Sequence, residues 1–209
     1  MNNLIFHDAS VELPVMEHFY TIQGEGFYAG RPAFFIRLAG CNVGCSWCDV
    51  KESWEVDKNQ IQSIRELVSC VNQTEADFVV ITGGEPAMYD LSALTAALHE
   101  HQITIAIETS GTYPLVGSID WYCFSPKKFK APIGEAYEKA NELKVIINHP
   151  SDFEFAEQHA ALLKNENCRL YLQTEWSKRE RFLPLIIEYV KAHPKWNISL
   201  QTHKYLNIP

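Results

Sequence analysis

Three cysteines fall within eight residues, in the run Cys41-Asn42-Val43-Gly44-Cys45-Ser46-Trp47-Cys48-Asp49, at C-x3-C-x2-C spacing. Disulfides are rare in a reducing compartment, and clustered thiols there point to metal or redox chemistry. A structural zinc site closes its shell with four ligands, so this triplet falls one short. Three thiolates on a four-iron, four-sulfur cube leave one iron without a protein ligand. A small molecule carrying an amine and a carboxylate can chelate that open corner. Two other readings stay open at this point: zinc with a distant fourth ligand such as a histidine, and three core cysteines. Cys70, Cys123 and Cys168 stand alone in apolar surroundings and read as core.

Other polar groups follow apolar runs. Phe78-Val79-Val80-Ile81 leads into Thr82-Gly83-Gly84-Glu85-Pro86. Two glycines there let backbone approach a ligand closely, and Glu85 can accept hydrogen bonds from an ammonium group. A third apolar run ends in Glu108-Thr109-Ser110-Gly111-Thr112, whose carboxylate and hydroxyls can meet a polar ligand or merely cap a turn. A fourth ends in Ser125-Pro126-Lys127. Lys144 sits inside the apolar Leu143-Lys144-Val145-Ile146 and receives no role. Glu17 to Gly26 and the tail from Ser199 to Pro209 are polar, aromatic or glycine-containing in ways a core does not require. A tail of His203, Lys204, Tyr205 and a terminal carboxylate can fold over a site.

These groups must be positioned by regular elements. The pattern predicts strands at Ala33–Ala39, Phe78–Thr82, Thr104–Glu108, Trp121–Phe124, Leu143–Ile147, Arg169–Gln173 and Ile198–Gln201. Helical stripes run through Ile61, Ile64, Val68 and Val71; through Leu91, Leu94 and Leu98; and through Phe182, Leu185, Ile186, Tyr189 and Val190, with Ser177 as N-cap of the last. A weaker helix covers Phe153–Lys164. Strands alternating with helices predict a mainly parallel α/β sheet, with functional loops at the C-terminal strand ends. There are too few repeats for a complete eight-fold barrel, so a partial, open barrel is expected, as one domain over residues 1–209.

Hydrophobic content of 46% and charged content of 21% suit a soluble globular chain, and no apolar run approaches a membrane span. The start, Met1 to Asp8, lacks the pattern of a secretory signal, which predicts a cytoplasmic protein. The formal net charge of −8 disfavours nucleic acid as a partner. The one evident basic run is Lys127-Lys128-Phe129-Lys130.

The C-x3-C-x2-C triplet followed by Gly-Gly-Glu-Pro resembles the radical S-adenosylmethionine (radical SAM) superfamily. Thr21-Ile22-Gln23-Gly24-Glu25-Gly26, the triplet followed by Asp49, and Gln201 to Pro209 narrow the resemblance, which spans Phe19 to Pro209, to the 7-carboxy-7-deazaguanine synthase family. That resemblance implies a shortened TIM-like barrel, a homodimer, one 4Fe-4S cluster per subunit on Cys41, Cys45 and Cys48, and S-adenosyl-L-methionine regenerated each turnover. The implied substrate is 6-carboxy-5,6,7,8-tetrahydropterin, which undergoes hydrogen abstraction, ring contraction and ammonia loss in queuosine-precursor synthesis. A flavodoxin or ferredoxin is the implied electron donor. Matched to the family's motifs, Trp47 (near the adenine), Cys48, Asp49, Gly84, Ser125, Pro126 and Lys127 hold the cofactor. Ile22, Gln23, Gly24, Arg37, Thr82 and Pro209 hold the substrate, Arg37 through its carboxylate and Pro209 through its own terminal carboxylate. Glu25, Glu85, Glu108, Ser110 and His203 stand nearby. Without the family, Arg37 reads as a surface ion pair. Many members carry Thr after Cys-Asp, where its hydroxyl helps bind Mg2+. This chain has Val50, whose side chain offers no oxygen, so weaker Mg2+ dependence is expected. The competing readings are another small radical SAM enzyme such as a glycyl-radical activase, and a zinc-stabilised binding protein.

Overall fold

The computed structural model describes residues 12–209; the Met1 to Asp8 stretch read above for a leader lies outside them. Nine strands form one open sheet: β1 Glu12–Ile22, β2 Pro32–Leu38, β3 Ile61–Ser63, β4 Phe78–Gly83, β5 Thr104–Thr109, β6 Trp121–Phe124, β7 Glu142–Ile147, β8 Arg169–Thr174 and β9 Trp196–Ser199. Their order is β3-β1-β2-β4-β5-β6-β7-β8-β9. From β2 through β9 each neighbouring pair is parallel, while β1 is antiparallel to both β2 and β3. The expected partial, open TIM-like barrel is the observed architecture.

Side chains alternate across a strand, and here alternation sorts chemistry. One set, including Ile36, Leu38, Val79, Ile81, Ile105, Ile107, Leu143, Val145 and Leu172, packs against the helices in the main core. The other faces the concave side. Its lower layer is apolar: Ala33, Phe78, Val80 and Ala106, with Phe35 and Trp121 against them. Toward the C-terminal strand ends it turns polar. Arg37 lies beside Thr82 in register, Glu108 beside Cys123, Lys144 beside Tyr171, and Gln173 beside Ser199. Layered apolar then polar residues make a floor and a lined cavity.

The helices α1 Ile64–Asn72, α2 Ser92–Glu100, α3 Gly134–Lys139, α4 Asp152–Ala160, α5 Arg179–Ala192 and α6 Thr202–Leu206 complete the chain. α1 buries Ile64, Leu67, Val68 and Val71, and Ser63 caps it in a capping box with Glu66. Ile61 therefore does not belong to the helical stripe. It pairs with Pro14 in β3 and is exposed. Ser177 is not the α5 cap either, because a 3-10 turn over Trp176–Lys178 intervenes and Lys178 occupies that position. Leu185 of the predicted stripe faces solvent, whereas Phe182 and Ile186 are buried. The last strand begins earlier than expected, because fully buried Trp196 pairs with Leu170. α4 stops at Ala160, before Lys164.

Besides β3, three elements escaped the sequence pattern: β1, α3 and the five-residue α6 in the tail. β1 carries Glu17, His18 and Tyr20, so half its length is only partly buried and its alternation is blurred by a bulge between Val15 and Glu17. α3 is only six residues long, buries Ala136, and is too short to show a period.

Candidate active site

The site is assembled around a backbone junction. β2 ends at Leu38, and Gly40 takes a left-handed conformation (φ +92°) as the chain enters the thiol loop. There the Tyr89 hydroxyl donates to the Ala39 carbonyl at 2.9 Å. β4 ends directly against this turn. Gly84 N–H donates to the Leu38 carbonyl at 2.8 Å, and Glu85 N–H to the Gly40 carbonyl at 2.9 Å. A Cβ on Gly83 would run into Leu38 backbone, and one on Gly84 into the Gly40 carbonyl and the Ser53 oxygen. The glycine pair is thus demanded by backbone meeting backbone, in addition to any closeness to a ligand that the sequence suggested.

Past Gly40 the loop alternates. Asn42, Gly44 and Ser46 are exposed, while Cys41, Cys45 and Cys48 all line one cavity at the C-terminal end of the sheet. All three thiols are unpaired. Burial raises Cys41 and pushes Cys45 up to about 11. Amides of Val43 and Gly44 aimed at Cys41, and the Lys127 ammonium near Cys45, act in the opposite direction and favour thiolates. Among the described residues no three His, Cys, Asp or Glu side chains converge as ligands of a single ion must. Three thiols spread around a loop, with amide donors and a cation turned toward them, fit a multi-iron cube, which takes each thiolate on a different iron.

The same cavity gathers nearly every residue singled out from sequence: Trp47 and Asp49 from the thiol loop, Thr82, Gly84 and Glu85 after β4, Glu108 and Ser110 at β5, and Ser125 and Lys127 after β6. Pro126 is the exception and lines an adjoining pocket with Trp47. Lys127 donates to Ser125 Oγ at 2.5 Å and sits 5.6 Å from the Trp47 ring centroid. Glu85 is buried, and both its oxygens are engaged by protein. One accepts from Ala87 N–H and the Thr109 hydroxyl, the other from Ser110 N–H and its hydroxyl. Glu85 therefore locks the β4 loop to the β5 loop.

From β1 come Ile22, Gln23, Gly24 and Glu25. Gln23 backbone closes a hairpin with Gly30 and Arg31, and its side-chain oxygen accepts from Glu25 N–H at 3.0 Å. Its amide nitrogen has no partner among the described residues. Arg37 lines the cavity from β2 while its Nε donates to Glu17 Oε1 at 2.6 Å. Both the ion pair and the cavity position are thus present, and the two terminal guanidinium nitrogens have no partner among the described residues.

The tail completes the wall. Thr202 N–H donates to the Gly24 carbonyl at 2.9 Å, and the backbone nitrogen of His203 would lie 2.9 Å from a Cβ on Gly24, which explains that glycine. Lys204 pairs with Asp49 at 3.1 Å, and the Thr21 hydroxyl donates to a Pro209 oxygen at 3.3 Å. Asn207 (φ +56°) makes the left-handed turn that ends α6. His203 and Pro209 both line the cavity, and burial keeps His203 below the usual histidine range.

One group given no role from sequence proves central. Lys144 is 3% exposed, and its ammonium lies 2.5 Å from Glu25 and 2.7 Å from Glu108. Burial alone would raise the Glu25 carboxyl. Lys144 and the Gln201 amide, 2.9 Å away, outweigh it and bring Glu25 down to about 2. Burial likewise works against the Lys144 charge, but the Glu108 and Glu25 carboxylates overcome it and hold the ammonium well above its ordinary range. A lysine inside an apolar strand demands such partners, and that was the available signal. Gln173 and Gln201 also line the cavity and were missed, since isolated glutamines carry no spacing.

An open parallel barrel with three cavity-facing thiols at its first parallel strand end defines a radical SAM enzyme, and residues 35–123 match the radical SAM superfamily model. Similar curated relatives include proteins described as 7-carboxy-7-deazaguanine synthase. That of Flavobacterium psychrophilum is 54% identical over 94% of this chain and 93% of its own length, and that of Synechocystis sp. 46% identical over 95% of each. The Escherichia coli K12 relative is 34% identical over 95% of this chain and all of its own. The crystal structure of QueE from Escherichia coli superposes with a TM-score of 0.85 at 32% identity, covering 95% of this chain and 98% of that one. The chain belongs to the 7-carboxy-7-deazaguanine synthase family, a family of radical SAM enzymes acting as carbon–nitrogen lyases. Membership implies a 4Fe-4S cluster and S-adenosylmethionine. No helix among the described residues is long and apolar enough to cross a membrane.

Proposed function

We propose that the chain converts 6-carboxy-5,6,7,8-tetrahydropterin into 7-carboxy-7-deazaguanine and ammonia, a step in queuosine-precursor synthesis. The observation that carries this is one cavity holding three thiols on one wall, the free end of the Arg37 guanidinium on another, and the Pro209 terminus closing it. When bound, the cluster and S-adenosylmethionine supply a 5′-deoxyadenosyl radical as hydrogen acceptor.

Cys41, Cys45 and Cys48 would hold the cluster. Trp47, Asp49, Gly84, Ser125, Pro126 and Lys127 would hold the cofactor, with Trp47 offering a ring face. The terminal nitrogens of Arg37 form a fork that suits the substrate carboxylate. Thr82 lies beside Arg37 in register and offers a hydroxyl to the same group. Glu25 and Glu108 are acceptors, as is the Pro209 carboxylate, and a reduced pterin presents N–H donors to such a rim. His203 and the Gln23 amide nitrogen stand at its edge, and Ile22 and Gly24 supply wall. α6 excludes water from that side. For Mg2+, Val50 lines the cavity without an oxygen, so substrate, water and backbone would have to complete its shell. The working unit is a cytosolic homodimer reduced by a flavodoxin or ferredoxin.

The test is anaerobic reconstitution followed by turnover of the carboxypterin with S-adenosylmethionine and dithionite, read at the product mass. Extension of the chain by one residue after Pro209 is expected to abolish turnover while iron and sulfide content stay unchanged. Full activity of the extended chain would remove the tail from the site, and absence of product from the unaltered chain would overturn the reading.

A further inference from the structure

An electron destined for the thiol loop must cross the protein surface. We propose that it enters at the face formed by Lys128, Phe129 and Lys130 against the outer side of that loop, and that this face docks a small acidic one-electron carrier protein. The inference rests on the radical SAM reading of the site.

The loop turns its cysteines inward and presents Asn42, Gly44 and Ser46 to solvent. All three are small and uncharged, and Gly44 (φ +77°) has nothing within 4 Å of where a Cβ would stand. A carrier can therefore bring its redox group close to the loop backbone, without a side chain at Gly44 in the way. The segment after β6 lies directly beside it. Phe129 meets the Trp47 ring edge-on at 6.3 Å, one residue from Cys48. Lys130 donates to Asn42 Oδ1 at 2.8 Å and to the Tyr113 hydroxyl at 2.7 Å, and its ammonium lies 4.1 Å from the Tyr113 ring centroid. Asn42 Nδ2 also donates to that hydroxyl. The patch is thus rigidly tied to the segment between Cys41 and Cys45.

Its charge is positive. Lys128 is paired with Asp152, but the partners of Lys130 are all neutral, and no described carboxylate lies within ion-pair reach of it. This stands out on a chain of net charge −8. An acidic carrier is repelled by the molecule as a whole and drawn to this one face, which orients the encounter. Phe129, 44% exposed at the centre of the lysines, is an apolar anchor with a charged rim. The occupant this surface fits is accordingly an acidic electron-transfer protein, whose redox group the uncovered loop backbone at Gly44 can approach.

The test uses the reconstituted protein and a purified flavodoxin. Lys128→Gln with Lys130→Gln keeps amide donors for Asn42, Tyr113 and Ser151 (to whose hydroxyl Lys128 donates at 3.0 Å) while removing both charges. Phe129→Ser removes the anchor. Affinity for flavodoxin is read by calorimetry at low and high salt, and turnover is read with flavodoxin and, separately, with dithionite. Loss of each charge is expected to weaken flavodoxin binding by roughly three- to tenfold at low salt and to flatten its salt dependence. Phe129→Ser is expected to weaken binding at all salt concentrations. Dithionite-driven turnover is expected to persist. Unaltered flavodoxin affinity in both variants would overturn the docking surface. Absence of product from the unaltered protein with dithionite would instead overturn the function reading, so the two failures are distinct.

Discussion

Replacing Lys144 by Met removes the single cation between two carboxylates. Its ammonium is 3% exposed and lies 2.5 Å from Glu25 and 2.7 Å from Glu108, each of which is 19% exposed. Breaking a buried pair by removing one partner costs about 3–5 kcal/mol, because the remaining charge stays desolvated. Total stability for such a domain is on the order of 5–15 kcal/mol, so the variant folds but is severely weakened. At roughly 2–4 °C per kcal/mol for this chain length, the melting temperature should fall by about 6–20 °C. The loss has a pH signature. Glu25 is held down at about 2 chiefly against its own burial. Without Lys144 the largest opposition to that burial is gone, leaving chiefly the Gln201 amide, and the folded-state pKa rises above the unfolded value. A raised carboxyl contributes stability below the unfolded pKa that is lost as pH rises through the folded one. The deficit relative to the unaltered chain is therefore expected to be largest near pH 8 and to shrink toward pH 5. Urea denaturation followed by circular dichroism at both pH values measures it. Adding Glu108→Gln to Lys144→Met removes one of the stranded charges and should recover part of the loss. A deficit below 1 kcal/mol at pH 8, or one that does not change with pH, would refute the claim that this lysine neutralises the pocket floor.

Gly84→Ala places a Cβ against the Gly40 carbonyl and 2.9 Å from the Ser53 oxygen. Because both are backbone, it should cost about 1–3 kcal/mol in urea titration and lower cluster content. Gly30 has open space around its Cβ position, so Gly30→Ala should cost less, through its φ of +93° alone. Burial pushes His159 down to about 4, and it bonds the Tyr137 hydroxyl at 2.8 Å. The unfolded chain then binds more protons between pH 6.5 and 4, so stability should fall by about 1–3 kcal/mol as pH drops through that window. His159→Gln should flatten this limb in a pH series of thermal melts. Turnover titrated with Mg2+ after chelation should show only a shallow dependence, because the Val50 side chain offers the ion no oxygen; a steep absolute requirement would contradict this.

Local physics makes much of this chain legible in its sequence. Thiol spacing, a glycine pair before a carboxylate, and continuous apolar runs bounded by polar residues each lie within about ten residues. They identify the thiol loop, six of the parallel strands to within one residue at each end, and the open parallel architecture. Family motifs place Arg37 and Pro209 at the site, where residue type alone favours a surface pair and a frayed end. Sequence and structure part where neighbours distant along the chain decide. Ile61 joins β3 because β1 pairs with it, and β1 itself is hidden because one of its faces is only partly buried.

The sequence alone determined the chemistry on offer: three thiols one short of a closed zinc shell, polar groups at the ends of apolar runs, and strands that must be covered on one face by helices. Tertiary structure alone decided what that chemistry faces. Lys144 meets Glu25 and Glu108 across 119 and 36 residues of chain, and α6 reaches Gly24 because β8 and β9 carry it round to β1. Register across a curved sheet sets those meetings. A one-residue slip would turn Arg37, Glu108 and Lys144 into the core, and that register is fixed jointly by all the strands and cannot be read from any one of them.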